Sequence, residues 1–224
     1  MTRVLITALF TVLSITIYAQ KKPKVNYVAL GDSYTICEGI NTKDCWPNIL
    51  TNNLTKQGTL IELTANPSKT GYTSQDLIDY ELPVLARSNA NFVTILIGVN
   101  DWVQQIDEEV FESNLIYIVE TVIEKVGSSN RVLLLTIPDF SATPEGARYG
   151  SGRDISKGIA HFNSIILKTA DYFDIKTVDL YPTSQKMKGN ASLIAADELH
   201  PSAKEYVLWE KLIYEEVIKL LEVK

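Results

Sequence analysis

The chain has 224 residues, 46% hydrophobic and 21% charged, which suits one well-buried globular domain and excludes both a disordered chain and a many-span membrane protein. Its formal net charge of -6 and the lack of any basic stripe exclude nucleic acid as a partner, because phosphate recognition needs a concentrated positive field.

In chain order, Arg3 precedes an apolar run from Val4 to Tyr18, and the small residue Ala19 follows. The run is shorter than the roughly 20 residues of a spanning helix. It reads as a secretory signal, residues 1–19, with an uncleaved anchor as the alternative; cleavage after Ala19 leaves a single domain over 20–224 that is secreted or periplasmic, the mature chain not inserted in a membrane. Strands are expected at 25–30, 59–64, 92–97, 131–137 and 175–179, where short β-branched runs are nearly continuous in apolar residues. Strands buried on both faces have this composition, so the sheet is expected to be parallel and covered by helices.

Helical periodicity falls between these runs, at 45–57, 74–88, 154–172 and 203–222. A further helix carries Val110, Phe111, Leu115, Ile118, Val119, Val122, Ile123 and Val126 as one apolar stripe closed by Gly127. Ser202 is the expected N-cap of the last helix, which sets Trp209, Leu212, Ile213 and Val217 on one side. The alternation predicts a doubly wound, three-layer α/β/α sandwich on a five-stranded parallel sheet. The polar stretch 138–153 is either a site-lining loop or a solvated insertion. Cys37 and Cys45 either pair or remain free thiols, and their spacing does not decide between the two.

In this architecture the carboxyl ends of the strands converge, so what each strand delivers there is the test for chemistry. The first delivers "GDSY" with Asp32 and Ser33, and the segment after the second delivers "TGYTS" with Gly71. The third delivers "GVND" with Asn100 and Asp101, and "DELH" with Asp197 and His200 stands just before the last helix. A serine is a weak nucleophile at neutral pH unless an imidazole takes its proton and a carboxylate fixes the imidazole tautomer. Ser33, His200 and Asp197 can supply those three groups. His161, the other histidine, lies among apolar residues of a predicted helix and is assigned a surface or packing role. Acyl transfer also needs donors for the developing oxyanion, and the Ser33 N–H, the Gly71 N–H and the Asn100 amide are the candidates. Gly71 and Gly98 allow close approach or unusual dihedrals.

These blocks, in this order from residue 28 to 206, resemble the SGNH hydrolases, the GDSL family of lipases and esterases; Tyr34 departs from the leucine of that name. The resemblance implies a flavodoxin-like sheet and a serine ester hydrolase with Ser33 as nucleophile, His200 as general base and then acid, and Asp197 orienting it. It implies an oxyanion hole of Ser33, Gly71 and Asn100, with no metal and no organic cofactor. Asp32 is expected to hold the turn through backbone N–H groups.

The expected partner is a small-molecule ester, either a lipid in a lipase- or lysophospholipase-like reaction or an acylated sugar for a carbohydrate O-acetylesterase. Tyr34 and Trp102 flank the expected site as substrate-binding candidates. A flavin-binding electron-transfer protein is the alternative from another class, because a doubly wound sheet can hold a phosphate at its first loop. That loop, "DSYTICEG", has no glycine among its hydroxyls to bring N–H groups onto a phosphate, and a flavin site leaves "DELH" without a role. Composition does not fix an oligomeric state.

Overall fold

The computed structural model of the protein describes residues 23–222, so the expected signal over 1–19 lies outside the described residues. Five strands form one sheet: β1 (Val25–Gly31), β2 (Ile61–Ala65), β3 (Phe92–Leu96), β4 (Val132–Leu135) and β5 (Lys176–Val178). Every pairing is parallel and the order is β2-β1-β3-β4-β5. This is the flavodoxin-like order, whose switch point lies between the first and third strands and is where such sheets place their sites.

The central strands β3 and β4 are buried at every position, as their continuous apolar runs predict. The edge strands differ. β2 alternates between buried and exposed residues and β5 shrinks to three residues, because an edge strand has a neighbour on one side only.

Helix α2 (Trp46–Lys56) packs on α9 (Ala203–Glu222) in one layer, while α6 (Glu108–Val126) packs on α4 (Leu82–Arg87) and α7 (Ile155–Tyr172) in the other. A single turn, α8 (Tyr181–Ser184), follows β5 and also meets α9. On α6 the buried residues are Phe111, Leu115, Ile118, Val119 and Val122, each contributing about 1.5–3 kcal/mol by its burial. Val110, expected in that stripe, is instead 46% exposed, since one residue before Phe111 is a rotation of about 100° off the buried face. Gly127 caps α6 in the left-handed conformation, at φ 80°. Ser202 Oγ accepts from the Glu205 N–H at the start of α9, as expected of an N-cap.

The segment predicted as one helix over 74–88 is three pieces: α3 (Ser74–Asp76), a π-helical turn (Leu77–Glu81) and α4. Thr73 and Asp76 form a capping box that starts α3, and the π turn shifts the register so that Glu81 points inward and is buried.

Cys37 and Cys45 form a disulfide, with Cα atoms 5.4 Å apart. In the chain-entropy account so short a loop contributes about 2.5 kcal/mol. The bridge follows α1 (Ser33–Ile36) directly and fixes the loop containing Gly39, where a Cβ would lie 2.8 Å from Asp197 Oδ2. Among the described residues no helix is long and apolar enough to cross a membrane.

Candidate active site

β1 ends at Gly31, and the chain turns at once into α1, with Ser33 as its first residue. The turn is tight. A Cβ at Gly31 would lie 2.3 Å from both the Leu96 carbonyl oxygen and Thr35 Oγ1, so a side chain there is sterically excluded. Asp32 Oδ1 accepts from the Tyr34 N–H at 2.9 Å, the turn-holding role expected of it.

Ser33 Oγ lies 3.0 Å from His200 Nε2, although 167 residues separate them in the chain. His200 Nδ1 lies 2.7 Å from Asp197 Oδ2, while Asp197 Oδ1 accepts from the backbone N–H groups of Leu199 and His200. Burial pushes the Asp197 carboxyl up, but the His200 and Leu199 N–H groups and then the imidazole overcome that effect and hold it below the usual carboxylate range. An anionic Asp197 can only accept, so the imidazole proton belongs on Nδ1 and Nε2 is left to accept from the Ser33 hydroxyl. The Tyr34 ring meets the imidazole edge-on at 5.8 Å and rests on Trp209, which limits tilting of the His200 ring.

The oxyanion candidates come to the same place. A cleft of about 190 Å³ is lined by Ser33, Gly71, Asn100 and His200 together with Tyr34 and the apolar side chains of Val99, Val103, Phe140, Tyr149 and Leu199. Gly71 has φ +84°, a conformation glycine adopts without strain. Gly98, at φ +118°, opens α5 (Val99–Val103), and a Cβ there would strike the Phe111 ring at 2.7 Å. Asn100 Nδ2 donates to the Tyr72 carbonyl at 2.9 Å; the same nitrogen carries a second N–H for the cleft.

Trp102 requires a correction. It does not line the cleft, being 5% exposed, with the Arg153 guanidinium 3.8 Å above its ring and Phe140 against its edge. Asn100 and Trp102 are two residues apart on a helical turn, a rotation of about 200°, so Trp102 leaves from the face opposite the cleft. The "ND" doublet lies inside α5 and does not cap it. Arg153 also donates to the Trp102 and Val103 carbonyls, tying α5 to the polar loop of residues 138–153. That loop does line the site, through Phe140 and Tyr149. His161 lies on the surface, 2.6 Å from Glu108 Oε2.

Two buried carboxyls stand behind the site, Asp101 from the "GVND" block and Glu81, which has no obvious signal in the sequence. Asp101 accepts from the Ser74 N–H and hydroxyl, locking α5 to the start of α3 just beyond the Gly71 loop. Glu81 Oε2 accepts from the Gly31 N–H at 3.0 Å and the Ser68 hydroxyl at 3.4 Å, holding β1 just before Ser33. Burial pushes Glu81 up to about 8, with the Asp32 charge adding to it, and pushes Asp32 to about 8 as well. Glu81 Oε1 and Asp32 Oδ2 are buried with no hydrogen-bond partner among the described residues, a setting that favours the neutral acid.

A folded-state pKa raised in this way stabilises the fold at low pH and loses that contribution as pH rises through about 8, because the unfolded chain releases the protons first. Glu81→Gln is therefore expected to flatten the fall in thermal midpoint between about pH 5 and about pH 8. Parallel midpoint curves for the two proteins would contradict this reading.

Among solved structures the chain resembles TesA at 22% identity, covering 87% of this chain and 99% of that one with a TM-score of 0.70. It resembles the psychrotrophic esterase EstA from Pseudoalteromonas sp. at 21% identity, covering 88% and 98% with a TM-score of 0.68. It also resembles the acetylxylan esterase Axe2 from Geobacillus stearothermophilus at 17% identity, covering 92% and 98% with a TM-score of 0.66. These likenesses establish the fold. No curated protein matches the chain by sequence. Residues 29–208 match the model of the GDSL-like lipase/acylhydrolase family, a span running from β1 to α9 that contains every residue placed in the cleft. The chain thus belongs to the GDSL-like lipase/acylhydrolase family and is a carboxylic ester hydrolase.

Proposed function

We propose that the protein is a serine carboxylesterase working through Ser33, His200 and Asp197. The observation that carries this reading is the continuous chain from Asp197 Oδ2 to His200 Nδ1 at 2.7 Å and from His200 Nε2 to Ser33 Oγ at 3.0 Å. Ser33 Oγ attacks the ester carbonyl carbon while His200 Nε2 takes its proton. The carbonyl oxygen becomes negative and is met by the Ser33 and Gly71 N–H groups and the Asn100 amide. Collapse expels the alcohol, which takes the proton from His200, and leaves an acyl group on Ser33. Water deprotonated by His200 then releases the acid.

The apolar lining supports an acyl group seated against Val99, Val103, Phe140 and Leu199. At about 190 Å³ the cleft is smaller than the roughly 300–1,000 Å³ that takes a drug-sized ligand, which favours short acyl chains over long ones. The proposed setting is periplasmic or extracellular, after cleavage of residues 1–19; the apolar run before Ala19 and the Cys37–Cys45 disulfide support it.

Turnover of p-nitrophenyl esters from acetate to laurate tests the acyl assignment. The expected profile of kcat/KM rises over the first few carbons and then falls. A profile still rising at laurate would require a larger acyl site than this cleft and would overturn the short-chain reading.

A further inference from the structure

The acyl-transfer groups occupy the cleft, but the surface next to the proposed oxyanion loop carries a half-buried tyrosine stacked with an exposed one, which they leave unused. Thr70 and Gly71 line the cleft, and the next residue, Tyr72, carries its ring out of it. That ring stacks on Tyr80, with centroids 5.7 Å apart and planes 26° from parallel. Tyr80 projects from the π turn and is 58% exposed. Tyr149, 42% exposed, is a further tyrosine that lines the cleft itself.

The fringe of the Tyr72–Tyr80 pair is polar. Thr70 Oγ1 is hydrogen-bonded to Glu38, Gln104 Nε2 donates to the Gly71 carbonyl at 3.3 Å, and the Lys69 ammonium lies 5.9 Å from the centre of the Tyr72 ring. A tyrosine pair whose outer ring, Tyr80, is exposed beside the cleft and edged by donors and acceptors suits a ligand with an apolar face and a rim of hydroxyls. A saccharide ring has that form. Its axial C–H groups cover an aromatic face and its hydroxyls reach the polar fringe.

The local charge argues against an anionic phospholipid headgroup. Between residues 69 and 81 the sequence carries Lys69 against Asp76, Asp79 and Glu81; the carboxylates of Glu38, Asp76 and Asp79 are engaged by the uncharged Thr70, Thr73 and Gln75. An anionic headgroup would meet net repulsion there, whereas a neutral sugar would not.

We propose that Tyr72 and Tyr80 form a subsite for a saccharide ring, which holds the alcohol portion of an acylated sugar while its ester carbonyl lies at Ser33 and the oxyanion donors. The proposal rests on the esterase reading above and names the part of the substrate which that reading leaves open. The π turn has a role in it, because the same register shift that buries Glu81 beneath Gly31 brings the neighbouring Tyr80 out beside Tyr72.

The test compares kcat/KM on acetylated xylo-oligosaccharides with kcat/KM on p-nitrophenyl acetate, for wild type, Tyr80→Ala and Tyr80→Phe. Tyr80→Ala is expected to lower the ratio of the two values about fivefold or more, through KM for the sugar ester. Tyr80→Phe, which keeps the stacking face, is expected to retain the ratio within about twofold. An unchanged ratio in Tyr80→Ala overturns the subsite, as does a wild type that cleaves p-nitrophenyl acetate or lysophosphatidylcholine but no acetylated oligosaccharide. A wild type inactive on every ester would instead overturn the esterase reading itself, so the two failures are distinguishable.

Discussion

Ser33→Ala is expected to lower ester turnover by about 10⁴-fold or more, His200→Ala by a comparable factor, and the double variant scarcely further. The reason is the geometry of one proton path. The hydroxyl of Ser33 is useful only when Nε2 of His200, 3.0 Å away, accepts its proton as the bond to carbon forms. Removing either partner abolishes the same event, so the two losses cannot multiply. Water in the cleft is a far weaker base than an imidazole and does not replace it at neutral pH. Initial rates on p-nitrophenyl acetate at matched enzyme concentrations measure the three variants. A phosphonate probe adds a second readout, since it should add its mass to the Ser33 peptide in wild type and much more slowly in His200→Ala. Single-variant losses that multiply in the double variant would show that the two residues act separately, and equal rates for wild type and Ser33→Ala would remove Ser33 from the reaction.

Much of this arrangement was legible from residue types at strand ends. A hydroxyl, an imidazole and a carboxylate at converging ends are scarce chemistry in a chain with two histidines, and "DELH" just before the last helix sets the carboxylate three residues ahead of the imidazole. The central strands were legible for a different reason, since burial on both faces leaves no position for a polar side chain. What escaped the reading depends on contacts made across the sheet. Glu81 stands in a helical segment where a carboxylate ordinarily faces water, and only the π turn and the Gly31 N–H bring it into the core. Trp102 was assigned to the cleft by its nearness to Asn100 in sequence, yet rotation along α5 separates neighbours by face. The disulfide likewise depended on the α1 turn bringing Cys37 to within 5.4 Å of the Cys45 Cα, a distance that spacing alone leaves undetermined.

Asn100→Ala is expected to lower kcat by about 10²- to 10³-fold with little change in KM, the usual cost of removing one oxyanion donor. The split between the two constants follows from when the interaction exists. A neutral ester carbonyl binds the amide weakly, while the tetrahedral oxyanion binds it strongly, so the loss belongs to the transition state. Asn100 is held from two directions: its Nδ2 is anchored on the Tyr72 carbonyl at 2.9 Å, and its helix is anchored through Asp101 to Ser74 and through Arg153 to the Trp102 and Val103 carbonyls. Asn100→Asp separates donation from shape, because a carboxylate of the same size can only accept and would add repulsion to the developing charge. It is expected to be at least as impaired as Asn100→Ala. Steady-state kinetics on p-nitrophenyl acetate measure both. A kcat loss under about tenfold, or a loss carried by KM alone, would mean that the amide positions the Tyr72 loop and that the oxyanion is met by the Ser33 and Gly71 N–H groups without it.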